Sequence, residues 1–243
     1  VPAGTPRIDF RGGALSDFWQ GLTKAFELII SLDPEVLGIT GRTLLIASSS
    51  CVMATIICLP LGSLIHFKQF PGKRLLVSLI QTFYSVPTVV VGLLVYIIFS
   101  RTGPLGFLDL MFTKPVMVIG QIVLISPIVL GLTISALSNV DRTITDTARS
   151  MGASGWQTML VTIKEARFAV IAAVTLGFGR AVSEVGLALM VGGNIKGRTR
   201  VLTTAISLET SKGNVELAIA LGIILIVLAL IINLVFNRLQ QRR

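Results

Sequence analysis

The sequence predicts an all-α, polytopic membrane protein. It should have about five transmembrane helices, preceded by an N-terminal interfacial helix and interrupted by one polar surface helix. Three observations carry this. Of the 243 residues, 53% are apolar and only 14% charged, where soluble domains carry roughly 25% charged residues. The mean hydropathy is +0.84. Several apolar runs approach or exceed the ~20 residues that cross a bilayer as a helix. A soluble protein built of fully buried helices is the competing reading, and the low charge content disfavours it.

The first fourteen residues are rich in Gly and Pro and read as irregular. A helix is expected from Ser16 as N-cap. Leu15, Phe18, Trp19, Leu22, Phe26, Ile29 and Ile30 recur at helical spacing, with Lys24 and Glu27 among them. That segment is too short and too polar to cross a membrane, so it is expected to lie in the interface with Trp19 at headgroup level; packing on a core is the alternative. Asp33-Pro34 supplies an N-cap and a first helical residue. Spans are then expected at about 42–65, 75–99, 116–137, 168–191 and 215–236. Pro60, Pro87 and Pro127 should kink the first three. Small residues from Ala47 to Ala54 permit close helix contact in lipid. Gln121, mid-span, is expected to bridge helices rather than line a path. Domain boundaries follow: 1–41 irregular segment and interfacial helix, 42–238 transmembrane domain, 239–243 cytoplasmic tail.

The net charge of +9 is read as attraction to anionic headgroups, since no Lys/Arg stripe interleaves with aromatics as nucleic-acid binding requires. Cys51 and Cys58 lie seven apart in one apolar run and read as packing residues. His66 is the single histidine, which leaves a zinc site or a Ser-His-Asp triad little to build on. No catalytic residue and no metal site is expected, and the chain is not read as an enzyme. Basic residues divide evenly between the two sides, ten each, with Arg180 inside a span; the denser clusters near membrane ends favour a cytoplasmic 141–167 segment.

That segment, from Asp141 to Arg167, carries DTARSMGAS and runs straight into the fourth span. Asp146, Thr147, Ala148 and Gly152 resemble the first part of the EAA loop of ABC-importer permeases. Asp146 stands for the usual Glu and Thr147 for the first Ala. The run 162–165 replaces the usual Ile-x-Leu-Pro, so the fourth span should be entered without a proline break. The stretch from Gly179 to Thr199 is similar to the molybdate, tungstate and sulfate permeases at Gly179, Arg180, Ala181, Glu184, Gly186, Gly193, Asn194 and Ile195, and departs at Ser183 and Val185. Together with Leu202–Asn214 the resemblance is greatest to the tungstate-importer permeases. It covers about 43–236, and it is specific for the permease class and less so for the oxyanion.

The resemblance implies a multi-pass protein of a prokaryotic plasma (inner) membrane. It implies a homodimer with a second copy, two ATPase subunits that hold ATP–Mg, an extracytoplasmic oxyanion-binding protein, and no cofactor in this chain. Contacts with membrane lipid are expected and contacts with nucleic acid are not. Asp146, Thr147, Ala148, Arg149, Gly152 and Ala153 would form the coupling helix docked on the ATPase. Arg180, Ser183, Glu184, Gly193 and Asn194 would belong to the translocation pathway or its gate. Arg180 and Glu184, at i and i+4, share a helix face; a structural ion pair and a pathway element are both open. A lone charge at the bilayer centre costs about 2.5–3.5 kcal/mol, which pairing reduces. Lys196, Arg198 and Arg200 read either as a solvated basic loop or as an attractor for an anion or a binding protein. Gly192 to Thr199 nearly spells a P-loop, but it lacks the lysine and follows a membrane helix rather than a strand.

Active transport fits the energetics. Bringing a dianion into a negative interior costs about 4.6 kcal/mol at 100 mV, and a passive pore cannot supply that. An ion-driven carrier would need inverted repeats and acidic midplane groups; the sequence offers no clear repeat and only Glu184. An intramembrane enzyme would need a paired nucleophile, base or metal set. Import of molybdate or sulfate by the same kind of permease is the nearest alternative.

Overall fold

The computed structural model describes residues 13–241, and all the described regular structure is helical. Of the expected irregular segment, residues 1–14, residues 1–12 lie outside the described residues, and 13 and 14 already belong to the first helix.

Helix α1 spans Gly13–Ile30. It starts three residues before Ser16, so Ser16 lies within the helix and is not its cap. α1 packs along the start of the last helix. A Cβ on Gly21 would sit 2.5 Å from the Ile219 side chain, and Ala25 is buried. Trp19, Phe26 and Ile30 are exposed on the other side. The helix therefore has one packed face and one exposed apolar face.

Helix α2, Pro34–Phe67, starts where the sequence placed its cap. Asp33 accepts from the N–H groups of Glu35 and Val36, and Pro34 needs no partner. It is one continuous helix of 34 residues, so residue 42 falls inside it. α2 continues through Pro60, and α5 (Lys114–Ser138) through Pro127. At Pro87 the chain behaves differently. α3 (Lys73–Thr82), a 3-10 turn (Phe83–Ser85) and α4 (Thr88–Phe99) replace the expected kinked span, and the two halves meet at 100°. Val86 and Pro87 are both extended, the conformation a residue before proline is pushed into. At 12 residues, α4 is about 18 Å long, short of the ~30 Å hydrocarbon core.

The polar segment is two helices, not one: α6 (Arg142–Ser150) and α7 (Gly155–Glu165). Ala166 closes α7 and opens α8 (Arg167–Val182), so α7, not the helix before Gly152, adjoins the membrane helix. The expected fourth span is bent by 60° where α8 gives way to α9 (Gly186–Gly192). The connector that followed it contains α10 (Leu202–Ser211), which the sequence reading missed. α11 (Val215–Gln241) ends the described chain. Among the described residues three helices (α2, α5, α11) are long and apolar enough to cross a membrane, and up to five spans result if each bent pair counts as one.

α5 is the central post. Half of its most apolar window is buried, against 17% for α11, so α5 lies inside the bundle and α11 at its rim. Gln121 of α5 is buried and joins three helices: its amide donates to the Ala181 carbonyl at 3.1 Å, and its oxygen accepts from Ser50 at 3.0 Å. It bridges, as its mid-span position predicted. Cys51 and Cys58 are free and buried. Close approach of α4 to α9 depends on Gly92, where a Cβ would lie 3.0 Å from the Leu187 Cα. A backbone atom cannot swing aside. Gly92→Val should destabilise the chain by about 1–3 kcal/mol through overpacking. Gly41→Val, at a site with nothing within 4 Å, should change little. Thermal unfolding of both variants in detergent checks this.

Candidate functional site

The chain presents two separate sites, one at an end of the bundle and one within it, at the break between two helices. At one end are α6 and α7. Asp141 caps α6 by accepting from the N–H and the hydroxyl of Thr143. The backbone bond, then the hydroxyl, hold its carboxyl below the usual carboxylate range. α6 ends in a Schellman turn: the Ala153 N–H reaches the Ala148 carbonyl at 3.0 Å and the Gly152 N–H that of Arg149 at 2.9 Å. That turn needs a left-handed residue after the helix, and Gly152 has φ +85°. Ser154 and Gln157 then form a capping box that starts α7.

The result is a tight helical hairpin. Thr147, Ala148, Met151, Ala153 and Val161 line a cleft of about 500 Å³ between the two helices. Asp146 and Arg149 are exposed, and neither has an ion-pair partner among the described residues. Met151 and Trp156 are exposed as well, at 82% and 65%. An apolar cleft with charges at its edge is the composition of a docking surface. The hairpin is seated on the membrane bundle by Ile163 and Ala166, which pack with Leu59, Leu137 and Val170.

The second site is the break between α8 and α9. Arg180 and Glu184 meet there as their spacing predicted, but the guanidinium–carboxylate distance is 3.7 Å, too long for a hydrogen bond. Glu184 is buried and spends its carboxylate on the helix that follows, accepting from the Leu187 N–H at 2.9 Å. Its backbone carbonyl accepts from the Thr203 hydroxyl of α10 at 2.7 Å. Arg180 is half-buried and makes no side-chain hydrogen bond among the described residues. It lines a cavity of about 660 Å³. Tyr84, Thr175, Ser183 and Asn233 line the same cavity, the rest of whose walls are apolar.

Gly193 and Asn194 are not part of that cavity. They sit at the far end of α9, seven residues long and so about 10 Å on. Both have positive φ, +68° and +49°. The loop they open is closed on itself. Thr199 donates to the Gly192 carbonyl at 2.5 Å and accepts from the Ile195 N–H at 3.0 Å. Arg200 donates to the Asn194 side chain at 3.3 Å. Two of the three basic residues share the Glu35 carboxylate of α2, with Lys196 at 2.7 Å and Arg200 at 3.6 Å. Arg42 adds a bond to the Arg200 carbonyl at 3.0 Å. Only Arg198 of the three remains without an ion-pair partner among the described residues. The sequence reading missed Glu35, Thr199 and Thr203. Each acts across the chain or through a backbone group, and none carries a local signal.

Broken apolar helices, a loosely paired arginine beside an open cavity and an exposed helical hairpin at one end are features expected of the membrane component of a transport system. The chain belongs to the family of binding-protein-dependent transport system inner membrane components, which it matches over residues 58–243. It is a multi-pass inner-membrane protein and a permease subunit, not an enzyme. It is 39% identical over 222 residues to the tungstate uptake system permease protein of Peptoclostridium acidaminophilum, covering 91% of this chain and 97% of that one. The corresponding Campylobacter jejuni protein is 40% identical over 227 residues, 93% and 95% of the two chains. The sulfate transport system permease protein of Escherichia coli K12 is 30% identical over 234 residues, 93% and 80%. In fold, the chain matches a bacterial alginate ABC transporter, crystallised with an alginate-bound periplasmic protein, with a TM-score of 0.75, 18% identity and 97% and 90% coverage. It also matches an inward-facing methionine ABC transporter with a TM-score of 0.71, 18% identity and 87% and 97% coverage.

Glu184 separates two roles that substitution can tell apart. Glu184→Ala removes the acceptor for the Leu187 N–H and should cost about 1–3 kcal/mol. Glu184→Gln keeps an acceptor oxygen and should cost less than half as much. Unfolding temperatures in detergent, measured side by side, check the order.

Proposed function

We propose that this chain forms the membrane path of an ATP-driven importer for a tetrahedral oxyanion, tungstate, and that it works as a homodimer by alternating access. Two ATPase subunits would dock on the α6–α7 hairpin from the cytoplasm and hold the ATP–Mg. An extracytoplasmic binding protein would deliver the anion at the opposite end, around residues 193–201. In this reading Asp146, Thr147, Ala148, Arg149, Gly152 and Ala153 form the coupling surface. Arg180 and Ser183 face the passing anion, Glu184 holds the α8–α9 break, and Gly193 and Asn194 belong to the outer turn.

The observation that carries the proposal is Arg180. It lies within an apolar broken helix, lines an open cavity and is only loosely paired. A fully paired arginine would have little field left for a substrate. One held at 3.7 Å from its carboxylate keeps its five donors available. The relatives that transport tungstate are more similar to this chain than the sulfate relatives are, which supports tungstate among the oxyanions.

Uptake of labelled tungstate into cells carrying the assembled transporter tests this. Arg180→Gln should lower uptake at least about tenfold, a loss equivalent to about 1.4 kcal/mol of lost anion stabilisation, while the protein still reaches the membrane. Arg180→Lys should retain part of it. Excess tungstate should compete with the label at lower concentration than molybdate or sulfate. Full uptake by Arg180→Gln would remove Arg180 from the path, and stronger competition by sulfate would replace the cargo.

A further inference from the structure

Helix α3 is amphipathic in an unusual place. Arg74, Ser78, Gln81 and Tyr84 are spaced by four, three and three residues, so they form one polar face through the helix and its 3-10 turn. Ten residues of rise carry that face over about 15 Å. Leu75, Leu79 and Phe83, spaced by four, form a second, exposed apolar face. Two cavities follow the polar face. Arg74, Ser78 and Gln81 line one of about 640 Å³, whose far wall is Ile134 and Ser138 of α5. Tyr84 lines the Arg180 cavity, whose α5 wall is Ile128 and Leu132. The two cavities are thus stacked along the same pair of helices in the same order.

We infer that the polar face of α3 lines the inner half of the anion's route, leading from the Arg180 cavity to the surface at the α6–α7 end. The side chains of Arg74, Ser78 and Gln81 are exposed and have no protein hydrogen-bond partner among the described residues. Polar groups left facing hydrocarbon are costly. The apolar face of the same helix already offers a surface suited to lipid, so the polar face is the one turned to water and to the solute that water carries.

Charge agrees with an anionic solute. No acidic side chain lines either cavity. At the inner mouth Lys73 donates to the carbonyls of His66 at 2.6 Å and Lys68 at 3.1 Å, so its ammonium is fixed at the rim beside Arg74. A cationic mouth with apolar walls behind it raises the local concentration of an anion. Hydroxyl and amide groups along the way replace water on the oxyanion without trapping it, as a path needs and a storage site does not.

The inference rests on the proposal that Arg180 meets the anion, and the two are separable by experiment. Gln81→Cys and Ser78→Cys are introduced singly, with Leu79→Cys as the lipid-facing control. The wild type serves as blank, since Cys51 and Cys58 are buried. Inside-out vesicles holding the assembled transporter are exposed to an anionic methanethiosulfonate and to a cationic one of the same size. Cysteines at 78 and 81 should react about tenfold faster than at 79, because thiol reactivity follows exposure to water. The anionic reagent should outrun the cationic one, and cytoplasmic tungstate should slow both. A cysteine at 81 no faster than at 79, or equally fast with both reagents, overturns the route. So does one that is inert because it forms a disulfide with a second copy, which would make this face a dry seam. Normal uptake by Arg180→Gln is the failure of the underlying proposal; an inert position 81 in a transporter that still carries anion is the failure of this one.

Discussion

The buried carboxylate of Glu184 is the constraint on which the rest of the bundle depends. A helix interrupted at membrane depth leaves backbone N–H groups without partners, and hydrocarbon offers none. Glu184 supplies one from inside, accepting from Leu187, while its own carbonyl is satisfied by Thr203. One residue therefore fastens α8, α9 and α10 at the point where the chain turns. The same carboxylate keeps Arg180 tolerable in an apolar setting without consuming it. A shorter ion pair would be a better staple and a poorer site, so the 3.7 Å separation suits the role proposed for Arg180.

The second break, at Pro87, is complementary to the first. α4 and α9 are the two short outer halves, and they pack on each other through Gly92 and Leu187. On the inner side, α8 and Tyr84 of the 3-10 turn that follows α3 line the cavity beside Arg180. The paired half-helices lie against the continuous α5, with Val91 and Leu187 in one core with Met117 and Leu124. Alternating access requires a joint between such elements. At the other end, α7 passes into α8 through the single residue Ala166, the short connection that the proposed coupling of the α6–α7 hairpin to Arg180 calls for.

Much of this was legible in the chain before the structure. Asp33-Pro34 announced α2 because capping is local chemistry. Gly152 announced a turn because only a left-handed residue closes a Schellman motif cheaply. Gln121 announced a bridge because an amide in mid-membrane must find partners. Arg180 and Glu184 shared a face by simple periodicity. What escaped depends on contacts distant in sequence. α10 looked like connector because its composition is mixed, and its identity comes from packing on α11 and from Thr43, which accepts from the Leu202 N–H. Pro87 read as a kink, since a proline alone does not tell a bend from a break; the extended Val86 before it decided. The basic loop at 196–200 read as free charge because Glu35, its counter-charge, lies about 160 positions earlier. Gly193 and Asn194 sat next to the Arg180 motif in sequence, and α9 holds them apart in space.

Coupling between the hairpin and the Arg180 cavity is the claim on which transport rests, and ATP hydrolysis reads it most directly. The chain is reconstituted in proteoliposomes with its ATPase and a tungstate-loaded binding protein, and compared with Gly152→Trp and Gly152→Ala. Nothing lies within 4 Å of a Cβ at 152, so both variants carry the same backbone strain, about 1–2 kcal/mol, and only tryptophan adds bulk to the docking face. Hydrolysis stimulated by the loaded binding protein in the wild type and Gly152→Ala, and abolished in Gly152→Trp, is the predicted result. Stimulation undiminished in Gly152→Trp would contradict it and place the coupling surface elsewhere.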